Sequence, residues 1–388
     1  MTASLRKPMA AMVLARTTLN TATRMAYPFL PFIARGLGVP LETAASLMAL
    51  RAATGYASLG VGPLADRHRR RSLILVALGL FVVTALLAAG FSQFAVFAVG
   101  FVGMGLAKVI LDPTSIAYIS DRVPYAMRAR ATGILEIPWA LAALVGIPLV
   151  GWTIARYGWQ APYWGLAALG ALSLVVAVWA FPVGDHAPHH DGGHILSSLG
   201  RALRVPNVRW MWPMMLCLVL ANEIVFIVYG AWLEGQFGLG AAALGSVSIA
   251  TGLAELGGEG LSSAFLDRIG KKRGILLGLL ALTVAYSLLP FLAGYGLVGA
   301  VFTLALILLG FEFTLVSTIP LVSESAPTAR ATSVSINSTG NQTGRVIGAL
   351  VGPPLYATVG LWGNVALAAG LTLISALILA LMVHERAD

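Results

Sequence analysis

The chain has 388 residues, of which 58% are hydrophobic and only 11% charged, with a formal net charge of +9 and a single cysteine. A soluble domain carries about 25% charged residues, so this sequence holds too little polar surface to cover its own apolar content, which excludes a large soluble protein. The lone Cys217 excludes an intrachain disulfide and a cysteine-clustered metal site.

Apolar runs long enough to cross about 30 Å of hydrocarbon recur from end to end. They predict twelve helical spans, roughly at 8–34, 41–65, 72–92, 94–120, 129–155, 160–182, 208–234, 240–266, 274–294, 297–323, 329–357 and 361–383. The first run is too long for a cleavable signal peptide, carries Arg16 and Arg24, and has no small-residue cleavage site after a short apolar core. The longest polar interruption, with Pro188, Gly192 and Gly193, divides the chain into an N-terminal six-helix bundle over 1–183, a linker over 184–207 and a C-terminal six-helix bundle over 208–388. His186, His189, His190 and His194 lie in that linker and read as a solvated segment rather than a metal site. Most of the 25 basic residues fall at the termini, in the linker and in alternate loops, and only Arg35 and Arg156 fall in the intervening loops. That bias argues against nucleic acid as the partner of the positive charge. It predicts a multi-pass protein of the cell inner membrane with both termini and the linker in the cytoplasm.

A cationic loop signal appears twice, after the second span as Gly62-Pro63-Leu64-Ala65-Asp66-Arg67-His68-Arg69-Arg70-Arg71 and after the eighth as Ser263-Ala264-Phe265-Leu266-Asp267-Arg268-Ile269-Gly270-Lys271-Lys272-Arg273. Arg128-Ala129-Arg130-Ala131-Thr132 opens the fifth span and Thr328-Ala329-Arg330-Ala331-Thr332 the eleventh. Asp121-Arg122-Val123-Pro124 and Glu324-Ser325-Ala326-Pro327 precede those two segments. The same marks in the same order in both halves indicate internal duplication, the usual architecture of a membrane transporter.

These residues resemble the major facilitator superfamily. The two loops look like that family's Gly-x-x-x-Asp-Arg-x-Gly-Arg-Arg motif, with Arg69 at the usual glycine of the first copy and Ser263 at the first position of the second. Arg156-Tyr157-Gly158-Trp159-Gln160-Ala161-Pro162 is similar to the family's approach to the sixth span. The resemblance covers the whole chain, and its nearest look is to the drug:proton antiporter and small-solute efflux branch. It implies an all-α membrane protein of two pseudo-symmetric six-helix bundles around a cavity that opens alternately to each side, acting as a monomer.

In the loops, Gly62, Asp66, Arg67, Arg70, Arg71, Asp267, Arg268, Gly270, Lys271 and Lys272 are the candidate gating residues. A carboxylate at a span end can meet a neighbouring helix N-terminus and pair with arginines, and the outer arginines can bind anionic lipid headgroups or simply set topology. Gly344, Gly348 and Gly352 recur at four-residue spacing, which lets helix backbones approach closely.

Charges within spans cost about 2.5–3.5 kcal/mol each on insertion scales and therefore call for a role. Glu255 and Glu259 stand one turn apart in the eighth span, sharing a helix face. Two carboxylates so placed do not easily ionise together in a low dielectric, which makes the pair a candidate proton carrier; the alternative is a structural pair held by Arg345 or by a loop arginine. Glu223, Glu312 and Asp112 are further proton-coupling candidates, although Lys108 and Asp112, also one turn apart, can neutralise each other. Arg16, Asn20 and Arg24 step along one face of the first span and, with Glu136, Trp139, Phe226, Phe311 and Arg345, form the candidate substrate cavity. Trp212 and Trp232 fall near span ends, where tryptophan usually anchors the membrane interface.

No Gly-x-x-x-x-Gly-Lys-Ser/Thr phosphate loop and no hydrolase elbow appears, so neither ATP-driven transport nor enzyme chemistry is expected, and no cofactor or metal. The sequence predicts a secondary transporter that exports a small organic solute in exchange for protons. Uptake of an anionic or zwitterionic metabolite and lipid movement are the alternatives.

Overall fold

The structure is a computed structural model that describes residues 3–58, 69–182, 204–325 and 330–384. Nearly all of them are helical, and nine of the described segments are long and apolar enough to cross a membrane. The predicted linker over 184–207 lies outside the described residues up to position 203. The chain divides into two compact units, Met1–Gly192 with Gly240–Ser248, and Gly193–Leu239 with Ile249–Asp388.

In the first unit the expected first span is two helices, α1 (Ala3–Arg24) and α2 (Ala26–Leu37). Pro28 has no N–H to return to the Arg24 carbonyl, so the helical ladder breaks after Arg24 and restarts at Ala26. Gly38, in the left-handed region at φ 65°, ends α2 and donates to Arg35 O. Then come α3 (Leu41–Ala53), α4 (Arg70–Gly90) and α5 (Phe94–Arg122). The fifth span is α6 (Tyr125–Leu141), a wider π turn at Ala142–Gly146, and α7 (Ile147–Tyr157). The sixth is α8 (Ala161–Ala180). Within this unit α4 packs on α5 and α8, and α1 on α6 and α8.

The second unit repeats the scheme. Its first span is again broken, into α9 (Pro206–Phe226) and α10 (Tyr229–Phe237), and again ends on a left-handed glycine, Gly238 at φ 66°. It continues through α11 (Ala241–Ile269), α12 (Lys271–Ala293), α13 (Leu297–Ser325), α14 (Arg330–Val359) and α15 (Leu361–Met382). Here α12 packs on α13 and α15, and α9 on α14 and α15, the same partners by order in the half. The second break has no proline at its centre. The Val228 amide turns to Val225 O at 3.3 Å rather than to Ile224 O. The Asn364 side-chain amide of α15 takes up that Ile224 carbonyl at 2.6 Å and Gly352 O at 2.9 Å. A buried amide thus supplies the donor that the broken ladder withholds.

The break also changes the setting of Trp232. Expected at the membrane interface, it is buried at 5% exposure on the inner face of α10, with its ring 5.8 Å from that of Phe237. Trp212 is half-buried and donates from Nε1 to Thr339 Oγ1 at 3.0 Å.

Candidate functional site

The first unit gathers its intramembrane charges into one network. Arg16, on α1, is nearly buried. Its Nε lies 3.4 Å from Asp112 Oδ1 and its Nη2 donates to Glu136 Oε1 at 3.4 Å. On α5, Lys108 donates to Asp112 Oδ2 at 2.5 Å and, back across to α1, to Asn20 Oδ1 at 2.6 Å. The Arg24 guanidinium lies 4.3 Å from the centre of the Trp139 ring on α6, and Lys108 Nζ lies 5.8 Å from the same ring. One indole thus faces two cations. The sequence pairs Lys108 with Asp112 alone; the structure makes Asp112 the meeting point of Lys108 and Arg16. Arg16, Arg24 and Lys108 stand against Asp112 and Glu136, so the cluster carries one more cation than acid. Among the described residues, Arg16 Nη1 and Asn20 Nδ2 are buried donors with no hydrogen-bond partner.

In the second unit, Arg345 Nη1 donates to Glu223 Oε2 at 3.4 Å, and its Nε to Asn341 Oδ1 at 3.1 Å. Arg345, expected as a possible anchor for the Glu255–Glu259 pair, is therefore engaged by the buried Glu223. This contact depends on the glycine row of α14. A Cβ on Gly344 would lie 2.8 Å from Leu216 O, one on Gly348 2.5 Å from Glu223 Cβ, and one on Gly352 2.5 Å from Ile227 Cγ2, so α14 and α9 touch nearly backbone to backbone.

Glu255 and Glu312 are both buried, and Glu259 is half-buried. Between the two acids of α11, Gly258 presses on α13. A Cβ there would meet Leu309 O at 2.3 Å and Glu312 Cβ at 3.2 Å. Glu312 therefore lies at this crossing, with Glu255 one turn before Gly258 and Glu259 next to it in the chain. One turn further along, Ser262 and Ser317 are joined hydroxyl to hydroxyl at 2.9 Å. Phe226 and Phe311 are buried within the unit, Phe226 with its ring 5.4 Å from that of Tyr229.

The duplicated basic loops end in the same way in both units. Arg70, at the start of α4, pairs with Asp121 at the end of α5 at 3.3 Å, while Arg71 donates to Val178 O near the end of α8 at 3.3 Å. Lys271, at the start of α12, pairs with Glu324 at the end of α13 at 2.5 Å. Lys272 donates to Ala380 O at 2.9 Å and Val383 O at 2.7 Å, at the end of α15. The first cation of each doublet binds an acid and the second caps a helix C-terminus, where a positive charge meets carbonyls with no helical partner. Asp267 and Arg268 are exposed at the end of α11. Gly270 turns the chain into α12 at φ 90°. Gly62, Asp66 and Arg67 lie outside the described residues.

Sequence reasoning did not single out Asn341 and Asn364. Asn341 sits one turn before Arg345, a spacing that could have drawn attention to it; Asn364 carries no local signal.

Comparison with known proteins matches the family model described as Major Facilitator Superfamily over residues 12–334 and 211–388. An uncharacterized MFS-type transporter, YceJ, of Bacillus subtilis (strain 168) is 23% identical over 349 residues, covering 89% of this chain and 88% of that protein. A probable sugar efflux transporter of Pasteurella multocida (strain Pm70) is 23% identical over 210 residues, covering 54% of this chain and 51% of that one. The crystal structure of a D-xylose-proton symporter superposes with a TM-score of 0.78 at 14% identity, covering 99% of both chains. At that identity the superposition speaks for the fold alone.

Proposed function

Because the chain belongs to the Major Facilitator Superfamily, and so is a multi-pass secondary transporter working by alternating access rather than an enzyme, we propose that it exports a small polar organic solute across the inner membrane in exchange for protons. The observation that carries the proton half of this reading is the burial of Glu255 and Glu312 on two helices that press together at Gly258, with Glu259 half-buried beside it in the chain. Carboxylates brought together in a low dielectric favour sharing a proton over holding several charges, and a solute or a helix movement that changes their surroundings then loads or releases it. Asp112 and Glu223 are each paired with a cation. The solute half rests on α1, where Arg16 Nη1 and Asn20 Nδ2 are buried donors with no hydrogen-bond partner and Arg24 lies over the Trp139 ring. The direction, outward, is supported by the relative named as a probable sugar efflux transporter. An inner-membrane setting with cytoplasmic termini follows from the loop charge bias.

The test is proton movement in liposomes containing the purified protein, read with an internal pH dye while cationic, anionic, zwitterionic and neutral polyhydroxylated solutes are added in turn. Solute-dependent proton flux of antiport sign, abolished in the well-expressed Glu255→Gln, Glu259→Gln double variant, is the expected result. Undiminished flux in that variant removes the pair from the mechanism, and flux of the opposite sign replaces export with uptake.

The excess cation in the first unit favours a second reading, in which the solute carries a carboxylate or another anionic group held by Arg16 or Arg24. In that case the anionic members of the panel alone give flux.

A further inference from the structure

Apart from the charge network, the first unit contains a cleft of about 300 Å³ bounded by α1, the π turn with α7, and α8. The backbone makes this space. The π turn displaces Val145 and Gly146 from where a regular helix would carry them. Gly146 lets Thr21 approach so closely that a Cβ would lie 2.3 Å from its Oγ1, and Gly165 opposes it with nothing within 4 Å of its Cβ position. The mouth is open and apolar, with Val145 50%, Leu149 59% and Leu169 45% exposed.

The threonines in the wall do not make it polar. Thr17, Thr18, Thr21 and Thr153 each donate their hydroxyl to a carbonyl one turn back in their own helix. Water needs two to four polar partners to occupy a cavity, and an apolar cavity of about 150 Å³ stays dry and takes up hydrocarbon instead. This one is twice that volume and opens on a membrane-spanning surface.

We propose that the cleft is a binding site for a single acyl chain of a membrane phospholipid. Lipid tails are as apolar as leucine, so no hydrophobic transfer favours the cleft over the bilayer. Occupancy comes from contact, since an unfilled void forfeits dispersion energy along its whole lining. α1 offers its Thr17, Thr18 and Thr21 face to the cleft and the neighbouring face with Arg16, Asn20 and Arg24 to the charge network. A lodged chain therefore bears on the helix that carries the solute-binding candidates.

The experiment uses the full-length protein in liposomes doped with phosphatidylcholine bearing a photoreactive group midway along one acyl chain. After illumination, adducts are mapped by peptide mass spectrometry. Yields at Val145, Leu149 and Leu169 are expected to exceed those at Val76 and Val83, equally exposed on α4, by roughly threefold, a modest factor because packing alone discriminates. In Gly165→Leu the added side chain fills the cleft, and the excess disappears while the α4 adducts stay unchanged. Equal yields on both surfaces in the wild-type protein overturn the proposal, as does an excess that survives Gly165→Leu. Labelling by a free photoreactive hydrocarbon but not by the phospholipid assigns the cleft to a lipophilic solute and overturns the lipid assignment.

Discussion

Lys271 Nζ lies 2.5 Å from Glu324 Oε2, tying the first turn of α12 to the last turn of α13. Arg70 and Asp121 make the same tie between α4 and α5, in a drier setting: the side chains there are 5% and 22% exposed, against 25% and 53% for the second pair. Each tie lies within one six-helix unit. Each is a latch between two neighbouring helices of its unit.

Removing the two latches should have unequal effects. Lys271→Ala should cost at most about 1 kcal/mol, as for other exposed ion pairs. Arg70→Ala leaves Asp121 partly desolvated without its cation and should cost roughly twice that or more. Thermal unfolding of the detergent-purified variants checks the order. Equal shifts for the two would mean that the difference in burial has no energetic consequence.

Asn364→Leu should destabilise the protein by about 1–3 kcal/mol, the cost of burying an acceptor without its donor. Ile224 O loses its partner and Gly352 O loses one of its contacts. An unchanged unfolding midpoint would show that the break between α9 and α10 satisfies itself without α15.

These two breaks show what can be read from the sequence. Hydropathy runs place the spans, because a span must be apolar over its whole length. The break at Met25 could have been read as well, since Pro28 deprives Arg24 O of its donor locally. The break at Ile227–Val228 could not, because its compensating amide comes from Asn364, 140 residues away. The candidate site divides in the same way. The spacing of Lys108 and Asp112 announces their contact, whereas the link from Asp112 to Arg16 depends on how α1 lies against α5, which no local pattern encodes.

Small-residue packing gives a third prediction. Gly344→Ala drives a Cβ to within 2.8 Å of the Leu216 carbonyl and Gly348→Ala to within 2.5 Å of Glu223 Cβ, so both should lose about 1–3 kcal/mol. Gly348→Ala should also impair transport by displacing Glu223 from Arg345. Gly370→Ala on α15 meets nothing within 4 Å and should be neutral or gain up to about 1 kcal/mol from helix propensity. Stability and solute flux measured side by side check this; full activity in Gly348→Ala would separate the Glu223–Arg345 pair from transport.

Arg16→Met leaves Asp112 with Lys108 as its cation and takes the cation from the half-exposed Glu136, and should lower solute affinity and cost about 1–3 kcal/mol in stability. Arg16→Lys, which keeps a cation at this position without the guanidinium fork, should recover much of the stability and little of the affinity. Recovery of affinity together with stability would mean that Arg16 acts only as a structural counter-ion.

The reach of Arg71 has a consequence for how the protein is made. Its partner, Val178, lies two residues before the end of α8, so this contact waits for a span that the Arg70–Asp121 latch does not need. On a ribosome delivering the chain from its amino end, that contact becomes possible as soon as the sixth span has left the exit tunnel. The matching contact of Lys272 cannot close until Val383 has been added. Every partner of the first basic doublet is thus in the chain while the second half is still being translated.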